Sequence, residues 1–260
     1  MANQGSMLKV RGVNINLARA GSGRPVLFLH GAGGVAGWPP FFESLSRRYQ
    51  LLVPDHPGFG HSDDPPWIRN VPDAAMFYLD FIDALQIDQI HLVGHSLGGW
   101  IAAELAVRDC ARLASLTLIA PAGIRVKGVP SGDSFIWSPE EAAHNLFADP
   151  ALARRMLDAP VSDEEADIML KNRYAAAKYG WQPRWFNPDL EKWLHRIKVP
   201  THLVWGAADQ LMPVAYCDLW RERVAGARVT LLDNCGHLPH IEKSEVVATR
   251  IESFWNEVAV

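Results

Sequence analysis

The chain is 260 residues long, 48% apolar and 21% charged, with a formal net charge of −4 from 25 basic and 29 acidic residues. This balance excludes disordered, collagenous and coiled-coil chains, and no run of like charge offers a footprint for nucleic acid or an anionic membrane. Three cysteines, Cys110, Cys217 and Cys235, lack CxxC spacing, and no apolar run approaches the ~20 residues that span a bilayer, so the expectation is a soluble, cytoplasmic protein with reduced thiols. Met1 to Ser6, ahead of a second methionine at Met7, are compatible with an added leader and carry no weight here.

Read from the N-terminus, Leu8 to Val13 and Asn14 to Ala20 look like two short strands, and Pro25 to Leu29 is a third, apolar throughout. Leu51 to Val53, Ile90 to Val93, Leu116 to Ala120, His202 to Trp205 and Val229 to Leu232 repeat that pattern. Runs apolar at consecutive positions mark strands covered on both faces, as in a parallel sheet. Helical segments alternate with them: Val71 to Leu85, with Ala75, Leu79, Ile82 and Leu85 on one face, then Ser96 to Val107, and finally Val246 to Val258. The class is therefore α/β. Between residues 122 and 190 the rhythm breaks into acidic helical patches, prolines and tryptophans. The expected organisation is a core of residues 1–121 and 191–260 interrupted by a helical lid at 122–190.

Chemistry gathers at Ile90 to Gly99, an apolar strand running into Gly94-His95-Ser96-Leu97-Gly98 and then into helix-forming sequence. A serine at so sharp a strand-to-helix turn needs small residues two positions before and after it. The turn lifts Oγ clear of the backbone and leaves the Leu97 N–H at a helix N-terminus, where negative charge is stabilised. A serine hydroxyl alone is a poor nucleophile and needs a base with a group to orient it. Asp209 lies just past the strand ending at Trp205, and His237 follows the last strand in Cys235-Gly236-His237. Loops at the carboxyl edge of one parallel sheet can bring all three together.

These motifs, in the order Ser, Asp, His, resemble the α/β-hydrolase family over nearly all of the chain outside the insertion. The resemblance implies a mostly parallel eight-stranded sheet flanked by helices with a helical lid, and a serine hydrolase. Pro25 to Gly34 resembles the family's His-Gly oxyanion turn, which implies that the Ala32 N–H joins that of Leu97 in an oxyanion hole. Asp55 to Ser62 resembles its turn after the next strand. Ser96 is the expected nucleophile, His237 its base and Asp209 the orienting acid. His240 and Asp233 stand as alternatives for base and orienter; His30, His95 and Asp55 read as structural.

Trp137, Trp181 and Trp185 of the insertion, with Leu238, suggest an apolar acyl or aromatic pocket, and Arg173 and Arg184 offer themselves for a substrate carboxylate. The expected reaction is hydrolysis of an ester, lactone or thioester through an acyl-enzyme, with a small-molecule substrate and no cofactor or metal. A carbon-carbon bond hydrolase of aromatic ring-fission products is the alternative within the fold; that subgroup commonly carries tryptophan after the catalytic histidine, where this chain has Leu238. The alternative of another class is a ligand-binding or signalling module with little turnover. Oligomeric state stays open.

Overall fold

A computed structural model describes residues 5–258. Strands β1 (Ser6–Val10) and β2 (Val13–Ala20) pair as a hairpin whose two-residue turn places Arg11 and Gly12 at φ 52° and 84°. Paired left-handed residues match the twist of the flanking strands, so the break falls at Gly12 and not between residues 13 and 14 as the sequence suggested. The chain continues through β3 (Pro25–Leu29), helix α1 (Pro40–Ser46), β4 (Gln50–Pro54), α2 (Val71–Ala84), β5 (Ile90–His95), α3 (Leu97–Arg108) and β6 (Leu113–Ile119). Three helices, α4 (Pro139–Leu146), α5 (Pro150–Asp158) and α6 (Asp163–Gly180), precede a 3-10 turn at Glu191–Arg196. Then β7 (Thr201–Gly206), α7 (Val214–Arg223), β8 (Arg228–Leu232), α8 (Pro239–Glu242) and α9 (Ser244–Val258) follow. Of residues 1–6, the first four lie outside the described residues, and Ser6 opens β1.

The strands form one eight-stranded sheet in the order β1-β2-β4-β3-β5-β6-β7-β8 among the described residues. β2 runs antiparallel to β1 and β4, and every later pairing is parallel. Alternate residues of the central strands feed two separate cores. Leu27, Leu29, Leu92 and Leu203 face the side of α2 and α3, while Val26, Phe28, Val93 and Val204 face α1 and α9. Each such side chain contributes roughly 1.5–3 kcal/mol by leaving water, which is why these strands read as continuous apolar runs.

Helix boundaries follow local chemistry. Asn70 caps α2 by accepting from the Asp73 N–H at 2.8 Å. Capping boxes start α4 at Ser138 with Glu141 and α6 at Ser162 with Glu165; each such cap contributes on the order of 1 kcal/mol. The buried stripe of α2 runs through Ala74, Phe77, Tyr78 and Phe81 with Ala75 and Ile82, leaving Leu79 and Leu85 at its margin. The sequence reading centred that face too far toward Leu79 because it undercounted the aromatic residues. Among the described residues no helix is long and apolar enough to cross a membrane.

Candidate active site

The turn between β5 and α3 is strained at one residue. Ser96 sits at φ 53°, ψ −113°, a conformation that costs on the order of 1–3 kcal/mol outside glycine. The surroundings enforce it. A Cβ on Gly94 would strike the Gly98 carbonyl, one on Gly98 would strike the Leu29 carbonyl, and one on Gly99 would come within 2.8 Å of Pro121 Cβ. The Ser96 N–H donates to Ile119 O at 2.9 Å, and its carbonyl accepts from Trp100 at 3.0 Å and Ala122 at 3.1 Å, so the backbone is held from both sides.

His237 meets Ser96 from the loop after β8. Ser96 Oγ donates to His237 Nε2 at 2.9 Å, and His237 Nδ1 donates to Asp209 Oδ2 at 2.8 Å. The other Asp209 oxygen accepts from the Leu211 and Met212 N–H groups at 2.9 and 2.8 Å, so the buried carboxylate is fully partnered. Asp233 is exposed and His240 packs beneath the elbow, its ring 4.4 Å from that of His95; neither takes part in the Ser96–His237–Asp209 chain of bonds. Burial and the neighbouring His237 push His240 down to about 3, so it is neutral. His95 is held well below the ordinary imidazole range, by burial first and then by His240 and His237. Its Nε2 donates to the His237 carbonyl at 3.0 Å, fixing the backbone of that loop.

The turn after β3 lies against the elbow, close enough that a Cβ on Gly31 would sit 3.4 Å from Ser96 Cβ. Gly31 O accepts from Gly34 N at 3.1 Å and from His30 Nδ1 at 2.7 Å. His30 Nε2 in turn accepts from the His56 N–H at 3.1 Å, His56 Nε2 donates to the His30 carbonyl at 2.9 Å, and the Tyr78 hydroxyl donates to His56 Nδ1 at 2.5 Å. One tautomer of each ring satisfies every bond, and burial, the largest cause for both, lowers the two imidazoles into the neutral form those roles require. In a trans peptide C=O and N–H point opposite ways, so pinning Gly31 O aims the Ala32 N–H away from these partners. Among the described residues neither the Ala32 nor the Leu97 N–H donates a hydrogen bond.

The insertion touches this site through polar atoms. His237 N donates to Leu146 O at 2.8 Å. The Glu242 carboxylate accepts from Gly236 N at 2.6 Å, Ala148 N at 3.0 Å and Asp149 N at 3.2 Å, tying the His237 loop to the segment between α4 and α5. Asn172, 5% exposed, bridges Gly33 O and Gly60 N. Sequence reasoning missed both residues. The available signal for Asn172 was an amide in the stripe Asn172, Ala175, Ala176, Tyr179 that α6 buries.

The aromatic expectations divide. Trp185 is buried and stacks on Phe135 at 4.6 Å, and Trp137 is half-buried against Gly132. Leu238 is half-buried immediately after His237, but Trp181 is 52% exposed beneath the Arg184 guanidinium, 4.2 Å from its ring. Arg184 pairs with Asp133, and Arg173 is exposed with one contact to the Phe135 carbonyl. Asp55 braces its own turn through Asn16 Nδ2 and the His61 N–H. Cys235 is buried beside Glu242, which together push its thiol up to about 12 and leave it unreactive.

Residues 26–250 match the alpha/beta hydrolase family. The chain is 26% identical to 2-hydroxy-6-oxo-2,4-heptadienoate hydrolase of Pseudomonas putida, over 97% of this chain and 96% of that one. Among solved structures it resembles a membrane phospholipase A, a bacterial virulence factor, at 27% identity and TM-score 0.76, over 99% of this chain and 86% of the other. It also superimposes on a mutant meta-cleavage product hydrolase with TM-score 0.80, covering 98% of each chain at 24% identity, a likeness of fold alone.

Proposed function

Starting from a chain that belongs to the alpha/beta hydrolase family and is one of its enzymes, we propose that it hydrolyses an ester, lactone or thioester with an apolar acyl part by way of an acyl-enzyme on Ser96. The reading rests on one continuous chain of bonds, Ser96 Oγ to His237 Nε2 at 2.9 Å and His237 Nδ1 to Asp209 Oδ2 at 2.8 Å. In the proposed reaction His237 accepts the serine proton as Oγ bonds to the carbonyl carbon. Asp209 holds the ring in the tautomer that leaves Nε2 free to accept, and stabilises the imidazolium. The carbonyl π pair moves onto oxygen, which the Ala32 and Leu97 N–H groups receive; each donor contributes about 3 kcal/mol at the transition state. The imidazolium then protonates the leaving group, and water repeats the sequence to release the acid.

Residues 122–190 act in this reading as a lid that supplies the apolar wall, with Trp137, Trp185 and Leu238 as its candidates; exposure argues against Trp181. The free cysteines Cys110, Cys217 and Cys235 fit a reducing cytoplasmic setting. An uncharged substrate suits the insertion better than a dienoate, because Arg184 is already paired with Asp133 and Arg173 is exposed. The second reading, carbon-carbon bond cleavage of ring-fission products, is favoured by the relative from Pseudomonas putida that matches along almost its whole length.

A panel of short and long acyl esters, lactones and ring-fission dienoates separates the two, with Ser96→Ala as control. The expected result is ester or lactone turnover abolished in the variant, together with labelling of Ser96 by a fluorophosphonate. Turnover confined to dienoates would select the second reading. Intact protein that resists the fluorophosphonate and turns over nothing would leave the binding-module alternative.

A further inference from the structure

An oxyanion donor is useful only if its N–H points at the developing charge, and the Ala32 N–H belongs to a loop rich in glycine, Gly31-Ala32-Gly33-Gly34. Such a loop has little intrinsic preference for one orientation of its peptides. Two bonds to Gly31 O hold the peptide that carries the Ala32 N–H, and one of them comes from Gly34 N. That N–H belongs to the same planar peptide as Gly33 O, and the two point in opposite directions. Gly33 O accepts from Asn172 Nδ2 at 3.1 Å. The orientation of Ala32 is thus linked in series, through two peptide planes, to one side chain of α6.

Asn172 is built for that task. Its Oδ1 accepts from Gly60 N at 2.8 Å, which fixes which end of the amide faces Gly33. It is buried, and the contact is tight enough that a Cβ on Gly34, at φ 80°, would strike its Nδ2. The rest of α6 docks independently of the turn: Lys171 Nζ donates to Gly60 O at 2.8 Å and Ser62 O at 2.7 Å, and Tyr179 donates to Pro57 O at 3.0 Å. Loss of the Asn172 bond would therefore release the turn while leaving the helix in place.

We propose that Asn172 is a positioning residue of the oxyanion hole, by which the inserted helix α6 keeps the Ala32 N–H directed at the substrate carbonyl. This role presupposes the reading of Ala32 and Leu97 as oxyanion donors. Asn172 touches no reacting atom; it acts on kcat through the turn, and substrate binding in the ground state does not depend on it.

The test compares Asn172→Asp, Asn172→Ala and Lys171→Ala on a soluble p-nitrophenyl ester and on a matching trifluoromethyl ketone. Asn172→Asp is nearly isosteric, keeps the acceptor for Gly60 N and removes the donor to Gly33 O. Lys171→Ala loosens the same helix from the same loop without touching the turn. The ketone adds Ser96 Oγ to its carbonyl carbon, passes the serine proton to His237 and places the resulting oxyanion where the ester's would form. Both Asn172 variants are expected to lose about 10- to 100-fold in kcat, less than deletion of a donor, with KM within about threefold. Ketone affinity should fall by the same factor as kcat/KM, since it reports the same charge. Lys171→Ala should match Asn172→Asp in lost thermal stability and stay within about twofold of wild type in kcat. Asn172→Asp with the kcat and ketone affinity of Lys171→Ala would overturn the proposal. Should Ser96→Ala keep full activity, the acyl-enzyme reading on Ser96 itself fails, an outcome distinct from a normal Asn172 variant beside an inactive Ser96 one.

Discussion

The sheet and the insertion are held by different mixtures of contacts. Across β3 to β7 the strands bury apolar side chains on both faces, and the chain order of apolar runs prescribes which faces meet. The insertion joins that layer through Ala175, Ala176, Tyr179 and Trp185, and adds what the sheet lacks, single polar side chains that reach main-chain atoms of the core: Asn172 to Gly33 and Gly60, Lys171 to Gly60 and Ser62, Tyr179 to Pro57. Its outer surface remains apolar in places, with Leu170 and Tyr174 exposed on α6. A buried apolar layer is tolerant of detail, since any well-sized side chain fills it. A hydrogen bond to one carbonyl is not, because removal leaves a specific partner unsatisfied. The two regions should therefore fail differently when altered.

The largest effect is expected in the core. Asp209→Asn keeps the size of the side chain and its place beside the Leu211 and Met212 N–H groups, but removes the charge that stabilises the imidazolium and favours the wrong ring tautomer. A loss of about 10⁴-fold in kcat is expected, with the melting temperature little changed. Steady-state kinetics beside calorimetry checks both halves; a drop under about tenfold would strike Asp209 from the proposed machinery.

At the boundary between the regions the effect should be smaller and divided between stability and rate. Glu242→Ala strips three N–H groups, those of Gly236, Ala148 and Asp149, of their shared acceptor. About 2 kcal/mol of stability should be lost in denaturant unfolding, since water reaches part of the vacated site. The rate should fall as well, because Gly236 adjoins His237. Unchanged stability would mean that the segment between α4 and α5 is held by apolar packing after all, and the contrast between the regions would narrow.

That contrast also explains what could be read from the sequence. Strands such as Pro25–Leu29 and the turn at Ser96 follow from local composition: consecutive apolar residues require burial on both faces, and glycines on either side of a serine permit one conformation. The convergence of Asp209 and His237 was accessible because strand ends of a parallel sheet share an edge. Glu242 and Asn172 were not, because their partners are backbone atoms, which every residue possesses and no pattern marks. The boundary between β1 and β2 was misplaced for a related reason: Arg11-Gly12 turns by backbone conformation, while the side chains on either side continue to alternate.

Acid should expose a further difference on the core side. Burial holds His240 down to about 3 and His91 and His202 down to about 4, so all three are neutral in the fold. An unfolded histidine gains its proton near pH 6.5, so between there and the folded values the unfolded chain binds more protons. Stability is therefore full above about pH 6.5 and declines as pH falls, by at most about 1.4 kcal/mol per pH unit for a fully buried group such as His240. His240→Leu, which keeps a side chain against Phe28 and Phe41, should flatten the slope of unfolding free energy against pH by close to one proton between pH 4 and 6. An unaltered slope would show that His240 takes up its proton without unfolding.

The smallest effect is expected where neither kind of contact is at stake. Arg223, at the end of α7, pairs with Glu191 at 2.9 Å and also with Glu222, yet its side chain remains 38% exposed. Water screens such a pair and the long side chain loses rotamer freedom in forming it, so Arg223→Ala should leave the thermal midpoint nearly unchanged. Since α7 is anchored by Tyr216, Cys217 and Trp220 against the sheet, its position does not depend on that charge. Thermal unfolding at low and high salt provides the check: a clear drop in midpoint that vanishes in salt would make ion pairing, and not burial, the agent that holds this edge of the core.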